Sequence, residues 1–360
     1  MPAFYAHKRF GDMVKKAVGG EISELLQKND EAFALGLQGP DFLFYYQPWH
    51  RNAVAAYGIR LHEEPARPFF TRGKNVLGGL LQNGTGDYAA GDDAQKGLDV
   101  CAPQEQRAEA NVLACLEEKN GLSPEAQQAV AYLLGALCHF VLDSVCHPYV
   151  NVFMRESGVG HLEIEEEFEK YLLRRDRKPV LSFDASLHIS CSAETVAAAA
   201  RFYPEVTQKQ VRDAIVAFRH YKRLLTAPSF WKQWLVNRIL HIGGRYHEYK
   251  GLMLQRRDNP ACKESNAVLW RQMQEAVKVA RALLLAFAET LDENTPLPAR
   301  FDLNFEGFCL PNAVSARSQK PSLQKLDKTA TKNAQSCPKI GKRNGKRRAK
   351  KTQKKEAVRV

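Results

Sequence analysis

The sequence predicts an all-α protein, a multi-helix bundle built around one central buried helix. Three observations carry that prediction. Apolar residues recur with a period near 3.6 in segment after segment, strand-like alternation is scarce, and Gly or Pro punctuates the chain between the periodic runs. No internal repeat is detectable, so residues 1–317 read as one domain and 318–360 as a separate tail.

The first predicted helix, 11–27, is followed by the break at Gly39-Pro40 and the aromatic cluster PDFLFYYQPW. Residues 65–101, with GGLLQNGTGDYAAGDD inside them, read as a long surface loop or a short irregular subdomain of the kind that lines a site. A helix at 105–118 ends before the break at 121–124. The next, 124–150, is apolar nearly all round from Ala129 onward, the pattern of a helix enclosed by others. SGVG separates it from a helix at 161–174. Helices at 192–202, 208–225, 229–241 and 265–291 are delimited by Pro204, Pro228, Gly243-Gly244 and Asn259-Pro260.

Within the central helix only His139, Asp143, Ser144 and His147 are polar. At about 100° per residue, His139, Asp143 and His147 fall within roughly 80° of one another and form a single polar stripe. A carboxylate among imidazoles in an apolar helix costs several kcal/mol unless it is paired, hydrogen-bonded or bound to a cation. The next helix repeats the spacing with His161 and Glu165, which share a side with Phe168 and Leu172. Glu163, Glu166, Glu167 and Lys170 turn toward the other side, which this pattern assigns to solvent. Chance alone supplies about one His-x3-acid pair in such a chain, so position and not number is the signal. The plain alternatives are a satisfied core hydrogen bond and a surface i,i+4 contact.

The net charge of +12 is unevenly spread. Residues 318–360 hold 15 Lys and Arg against two acidic residues, leaving 37 basic and 38 acidic residues in 1–317. The tail has almost no large apolar residue and is expected to be disordered, with attraction to an anionic membrane surface or to nucleic acid as its possible role. Eight cysteines are scattered without a CxxC pair, which suits reduced thiols; Cys138 and Cys146 beside the stripe read as small buried hydrophobes. The N-terminal residues contain no apolar run long enough for a signal peptide, and no spanning run was apparent elsewhere. A cytoplasmic protein, peripheral at the membrane, is the expectation, with no stable protein partner.

Three upstream residues complete a candidate set: His7 in AHKRFG, Asp41 in LGLQGPDFLFYY and His62 in GIRLHEE. Individually they also read as a cap, a turn former and a loop histidine. Together with AYLLGALCHFVLDSVCHPY and HLEIEEEFE, these segments resemble the zinc-dependent phospholipase C family, whose all-α fold is shared with zinc-dependent single-strand nucleases. The resemblance covers about residues 1–180 and is strongest over 128–172, with 181–317 as additional helices. It implies two or three zinc ions. His62, His139, Asp143 and Asp41 would surround one, Asp143 would bridge to a second held by His7, and His147, His161 and Glu165 would hold a third. In that family the last group's histidine follows the bridging aspartate by six residues, where Val150 lies close by; here His147 follows by four. Secreted members also begin with a tryptophan whose amine ligates zinc, whereas this sequence begins Met-Pro.

Two zinc ions about 3.5–4 Å apart can clamp a phosphodiester and lower the pKa of a bound water toward 7. The resemblance therefore implies phospholipase C-type hydrolysis of a phospholipid headgroup, with Asp41 as the catalytic residue that orients or deprotonates water. Phe42, Phe44, Tyr45, Tyr46 and Trp49 either line the cleft or pack the core. The alternatives are a single-strand nuclease or other phosphoesterase, and a non-catalytic scaffold with a structural His-carboxylate network. No HExxH, GxSxG, Walker loop or GxGxxG signature supports protease, serine hydrolase or nucleotide chemistry.

Overall fold

A computed structural model describes residues 4–83, 122–244, 246–291 and 295–309. The described residues are all-α, with helices, short 3₁₀ turns and one isolated bridge between Leu303 and Cys309. In chain order the helices are α1 (Phe4–Val18), α2 (Gly20–Lys28), α3 (Asp30–Gly36), α4 (Ala53–Glu63), α5 (Arg67–Asn83), α6 (Pro124–Ser157), α7 (His161–Arg175), α8 (Ala193–Ala200), α9 (Gln208–Leu225), α10 (Phe230–Ile242) and α11 (Cys262–Glu289). The predicted helix at 105–118 and the tail at 318–360 lie outside the described residues.

Helix α6 is the axis of the bundle. Ser123 caps it by accepting from Ala126 N, Pro124 opens its first turn, and Gly158 at φ 71° closes it. Contrary to the sequence expectation, this helix is long and apolar enough to cross a membrane by length and composition. However, its most apolar window is 94% buried inside the protein, so it is the core element. Around it pack α1, α3, α5, α8 and α11. Gly36 of α3 and Gly135 of α6 let the two backbones touch, since a Cβ on Gly135 would lie 2.4 Å from the Phe33 carbonyl oxygen. That contact seats α3 firmly, and with it the turn that follows.

Several predicted boundaries shift for identifiable reasons. The predicted helix at 11–27 is two helices, because Gly19 and Gly20 adopt φ 66° and 54° and break the run. The presumed loop at 65–101 contains α5, whose apolar side packs on α6. Helix α6 continues past Val150 to Ser157 and carries Pro148 within it. Pro148 cannot donate to the Ser144 carbonyl, and the turn at Gly307, φ 78°, packs against both residues.

The second face of α7 is not solvated. Lys170 is 0% exposed, and its ammonium lies 3.0 Å from Glu166, 2.8 Å from Glu167 and 3.3 Å from Asp258. It also donates to the carbonyls of Gln255 and Arg257, at 3.3 and 3.0 Å. The segment before α11 thus covers a face that periodicity alone assigned to water, and the charges tolerate burial because they are mutually paired.

Candidate metal centre

Five elements deliver the site. Helix α6 projects His139, Asp143 and His147 on successive turns, α7 projects His161 and Glu165, and α1 supplies His7. Asp41 begins a 3₁₀ turn, Asp41–Tyr45, and His62 sits in the last turn of α4. All are buried except His161, whose side chain is 24% exposed and marks the open end of the centre.

Every predicted ligand enters one of three groups, each with candidate ligand atoms within 4.8 Å of one another: His7 with His139 and Asp143, Asp41 with His62 and His139, and His147 with His161 and Glu165. Asp143 stands between them. Its Oδ1 is 3.2 Å from His7 Nε2 and 4.0 Å from His147 Nε2, while Oδ2 is 3.2 Å from His139 Nε2. Asp41 Oδ1 lies 3.0 Å from His62 Nε2 and 3.8 Å from His139 Nε2. Glu165 Oε1 lies 3.0 Å from His161 Nε2 and 3.5 Å from His147 Nε2. Val150 is buried in the core and belongs to none of the groups.

The imidazoles are oriented by the backbone. His62 Nδ1 donates to the Gly58 carbonyl at 2.8 Å, His139 Nδ1 to Leu37 at 3.1 Å, and His147 Nδ1 to Phe305 at 3.2 Å. A carbonyl can only accept, so Nδ1 carries the proton and each Nε2 faces the carboxylates, the arrangement that metal-binding histidines use. His139 Nε2, Asp143 Oδ2 and Glu165 Oε2 are buried without a hydrogen bond of good geometry. Buried polar atoms left this way cost free energy, and divalent cations in the groups they belong to would satisfy them. The donor set of imidazole nitrogens and carboxylate oxygens fits zinc.

Electrostatics within the cluster are mutual. Burial works to raise the Asp41 and Asp143 carboxyls, but surrounding positive charge holds both below the usual range. For Glu165 the same opposition, won by His161 and His147, leaves a value of about 2. Burial works to lower His147, and Asp143, Glu165 and Glu306 overcome it, pushing the imidazole up to about 10. His139 and His161 are likewise raised by their carboxylates, while His7 is lowered by burial and by His139. Without metal, the carboxylates therefore favour the protonated form of His139, His147 and His161, most clearly at His147.

Zinc must displace those protons, because each nitrogen needs its lone pair. Zinc loading at pH 7 is expected to release protons, at least about one per chain from His147, readable as acidification of a weakly buffered solution. Release near zero would contradict the protonation pattern. The stabilisation that these histidines give the metal-free fold is complete below their unfolded value near 6.5 and fades as pH rises through their folded values, about 10 for His147. Glu165 acts oppositely, its contribution fading as pH falls from about 4.5 through about 2.

Some partners of the site were not found from sequence. Glu169, one turn beyond Glu165, is buried and accepts from Tyr5 N at 3.1 Å in the first turn of α1, two residues before His7. Burial raises its carboxyl to about 7. Its i+4 spacing from Glu165 was a usable signal. The Phe305 carbonyl and Glu306, 3.6 Å from His147 Nδ1, come from a segment with no motif at all. Among the aromatics, Phe42 is core, Phe44 lies against His62, Tyr45 packs on Phe218 and Tyr221, and Trp49 is 80% exposed beside Tyr221. Cys138 and Cys146 are buried, and burial raises both thiols, consistent with packing and not ligation.

Residues 6–202, more than half of the chain, match the family described as zinc dependent phospholipase C, and all eight candidate ligands lie inside that span. The chain belongs to the zinc-dependent phospholipase C family. No curated protein and no solved structure matches it. Family membership and the three His-carboxylate groups together support zinc as the ion bound by this phospholipase C-family chain.

Proposed function

We propose that the protein is a zinc-dependent phosphodiester hydrolase of the phospholipase C type, releasing diacylglycerol and a phosphorylated headgroup from a phospholipid. The observation that carries this reading is the set of three imidazoles pinned by backbone carbonyls with Nε2 aimed at buried carboxylates, in a chain of this family. His7, Asp41, His62, His139 and Asp143 would hold two ions, and His147, His161 and Glu165 would hold a third where three are bound. Bound zinc supplies Lewis acidity toward the phosphoryl oxygens and lowers the pKa of water.

The remaining work falls to the chain. Water attacks phosphorus, a P–O bond forms, and the P–O bond to glycerol breaks, with the glycerol oxygen leaving as the alcohol after gaining a proton. Asp41, its Oδ1 beside His62 and His139, takes the proton from the attacking water. Buried surroundings exclude bulk solvent there, while the exposed side of His161 is the way in for substrate.

The test combines metal analysis with headgroup release by purified protein, using Glu165→Ala as a control. Zinc in the wild type, less zinc in the variant and headgroup release only from the former support the reading. Cleavage of single-stranded nucleic acid with no action on phospholipid would replace it by a nuclease. Absence of zinc, with folding indifferent to chelators, would leave a structural network.

A further inference from the structure

Helix α10 is built inside out. Its buried contact is Gln233, whose amide donates to the Leu254 carbonyl at 2.9 Å and accepts from Arg256 N at 3.2 Å, while Asn237 donates to Gln255 at 2.9 Å. The apolar residues face outward. Phe230, Trp231, Trp234, Leu235, Ile239 and Ile242 are between 52% and 77% exposed. At about 100° per residue they occupy one continuous half of the helix circumference. A surface helix of a globular protein normally shows the opposite arrangement.

We infer that α10 seats this protein on an anionic phospholipid bilayer, with its two tryptophans and flanking aliphatic side chains inserted at the headgroup level. Charge selects this occupant. From Asp213 to Glu248 no acidic residue intervenes, while Arg219, Arg223, Lys232 and Arg238 fall in that stretch. Trp and Phe among aliphatic side chains, with Lys232 at the edge of the sector and the exposed Arg238 within it, free of acidic residues, is the composition of a helix that lies in the membrane interface. Helix α10 lies beyond the family-matched span of 6–202.

Its position relates it to the metal centre. After α10 the chain makes one helical turn, Tyr246–Tyr249, and a 3₁₀ turn, Lys250–Leu252, that packs on the first turn of α7, where His161 sits. Lys250 Nζ is 2.7 Å from Glu163, and a Cβ on Gly251 would lie 2.2 Å from the Leu162 carbonyl oxygen. The membrane-seating helix is thus braced against the element that carries the exposed ligand. Its use in delivering lipid to the centre rests on the hydrolase reading above; its affinity for a bilayer does not.

The experiment compares the full-length protein with W231E/W234E, both positions being exposed enough for the core to be unaffected, as circular dichroism will check. Vesicles of phosphatidylglycerol and phosphatidylcholine are offered, with phosphatidylcholine vesicles alone as reference. Wild-type protein is expected to co-sediment with the anionic vesicles, to shift its tryptophan emission to the blue and to be quenched by brominated lipid, and the variant to bind at least about tenfold more weakly. Hydrolysis of vesicle lipid should fall with binding while turnover of a short, monomeric phosphodiester stays unchanged. Equal vesicle binding by the two proteins would overturn the inference and assign attachment to the basic tail. Tryptophan emission already blue without vesicles, or a monomer-dimer equilibrium abolished by the substitutions, would also overturn it, in favour of a covering segment or a second copy. Vesicle binding lost in the variant, with neither protein hydrolysing any phosphodiester, would sustain the membrane surface and remove the enzymatic reading instead.

Discussion

Replacing Asp143 by asparagine is expected to leave the purified protein depleted of zinc and to lower phosphodiester hydrolysis by more than about 100-fold. The change keeps size and shape and removes charge. Losing a group that merely orients a metal ligand costs about 10- to 100-fold in affinity or activity. Asp143 reaches further than that, with one oxygen toward His7 and His147 and the other toward His139. A neutral amide in its place offers one oxygen and turns an NH2 toward nitrogens that must themselves donate lone pairs. Zinc content after exhaustive dialysis, read beside headgroup release, checks the expectation. Glu165→Gln is the informative companion, because among the described residues Glu165 pairs with His147 and His161, and its loss should empty one group while sparing the others. Retention of the wild-type zinc content by Asp143→Asn would remove the bridging role.

The same substitution separates metal binding from folding. In the metal-free chain Asp143 is the counterion for raised imidazoles, and breaking a buried pair by deleting one partner costs about 3–5 kcal/mol if the other charge stays. Histidine escapes that cost by losing its proton. The metal-free variant should therefore remain folded with lower histidine pKa values, visible in the ring-proton chemical shifts as pH is varied.

The central helix and both His-carboxylate pairs were legible in the sequence because helical periodicity is local: His139, Asp143 and His147 share a stripe by arithmetic, and their apolar neighbours announce burial. What brings Asp41 and His62 to that stripe is not local. The contact of Gly36 with Gly135, which seats α3 and the following turn, needs two glycines about one hundred positions apart to meet. The family resemblance supplied those ligands; composition and spacing could not. Backbone carbonyls that orient the imidazoles were also invisible, since every residue has one and only the fold decides which of them faces a ring. The solvated face assigned to α7 failed for a similar reason. Glu166, Glu167 and Lys170 have the spacing of a surface charge pattern, and only the arrival of the segment before α11 makes them interior. Periodicity also marked α10 as a helix without revealing that its apolar side is the outer one.

Glycine 39 carries the second large expected effect, and it is one that no ligand motif would nominate. Its φ is +50°, a conformation in which a side chain costs about 1–2 kcal/mol. A Cβ there would also lie 2.4 Å from His139 Cδ2 and 2.8 Å from Nε2. The ring has nowhere to retreat, because His7 stacks on it with centroids 4.3 Å apart and its Nδ1 is held by the Leu37 carbonyl. Gly39→Ala must then shift either the imidazole or the turn, and the turn carries Asp41 two residues on, so one group loses its geometry in both cases. The expected result is a folded protein destabilised by about 1–3 kcal/mol, with zinc affinity reduced by about 10- to 100-fold. Gly79→Ala serves as the control, since a Cβ there meets nothing within 4 Å and its place in α5 favours alanine by about 0.5–1 kcal/mol. Thermal melts of the metal-free proteins isolate the strain, and competition with a chromogenic chelator isolates the loss at the centre. If Gly39→Ala melts lower yet competes for zinc as the wild type does, the turn yields without disturbing Asp41 or His139, and the tight seat of the imidazole is a packing feature alone.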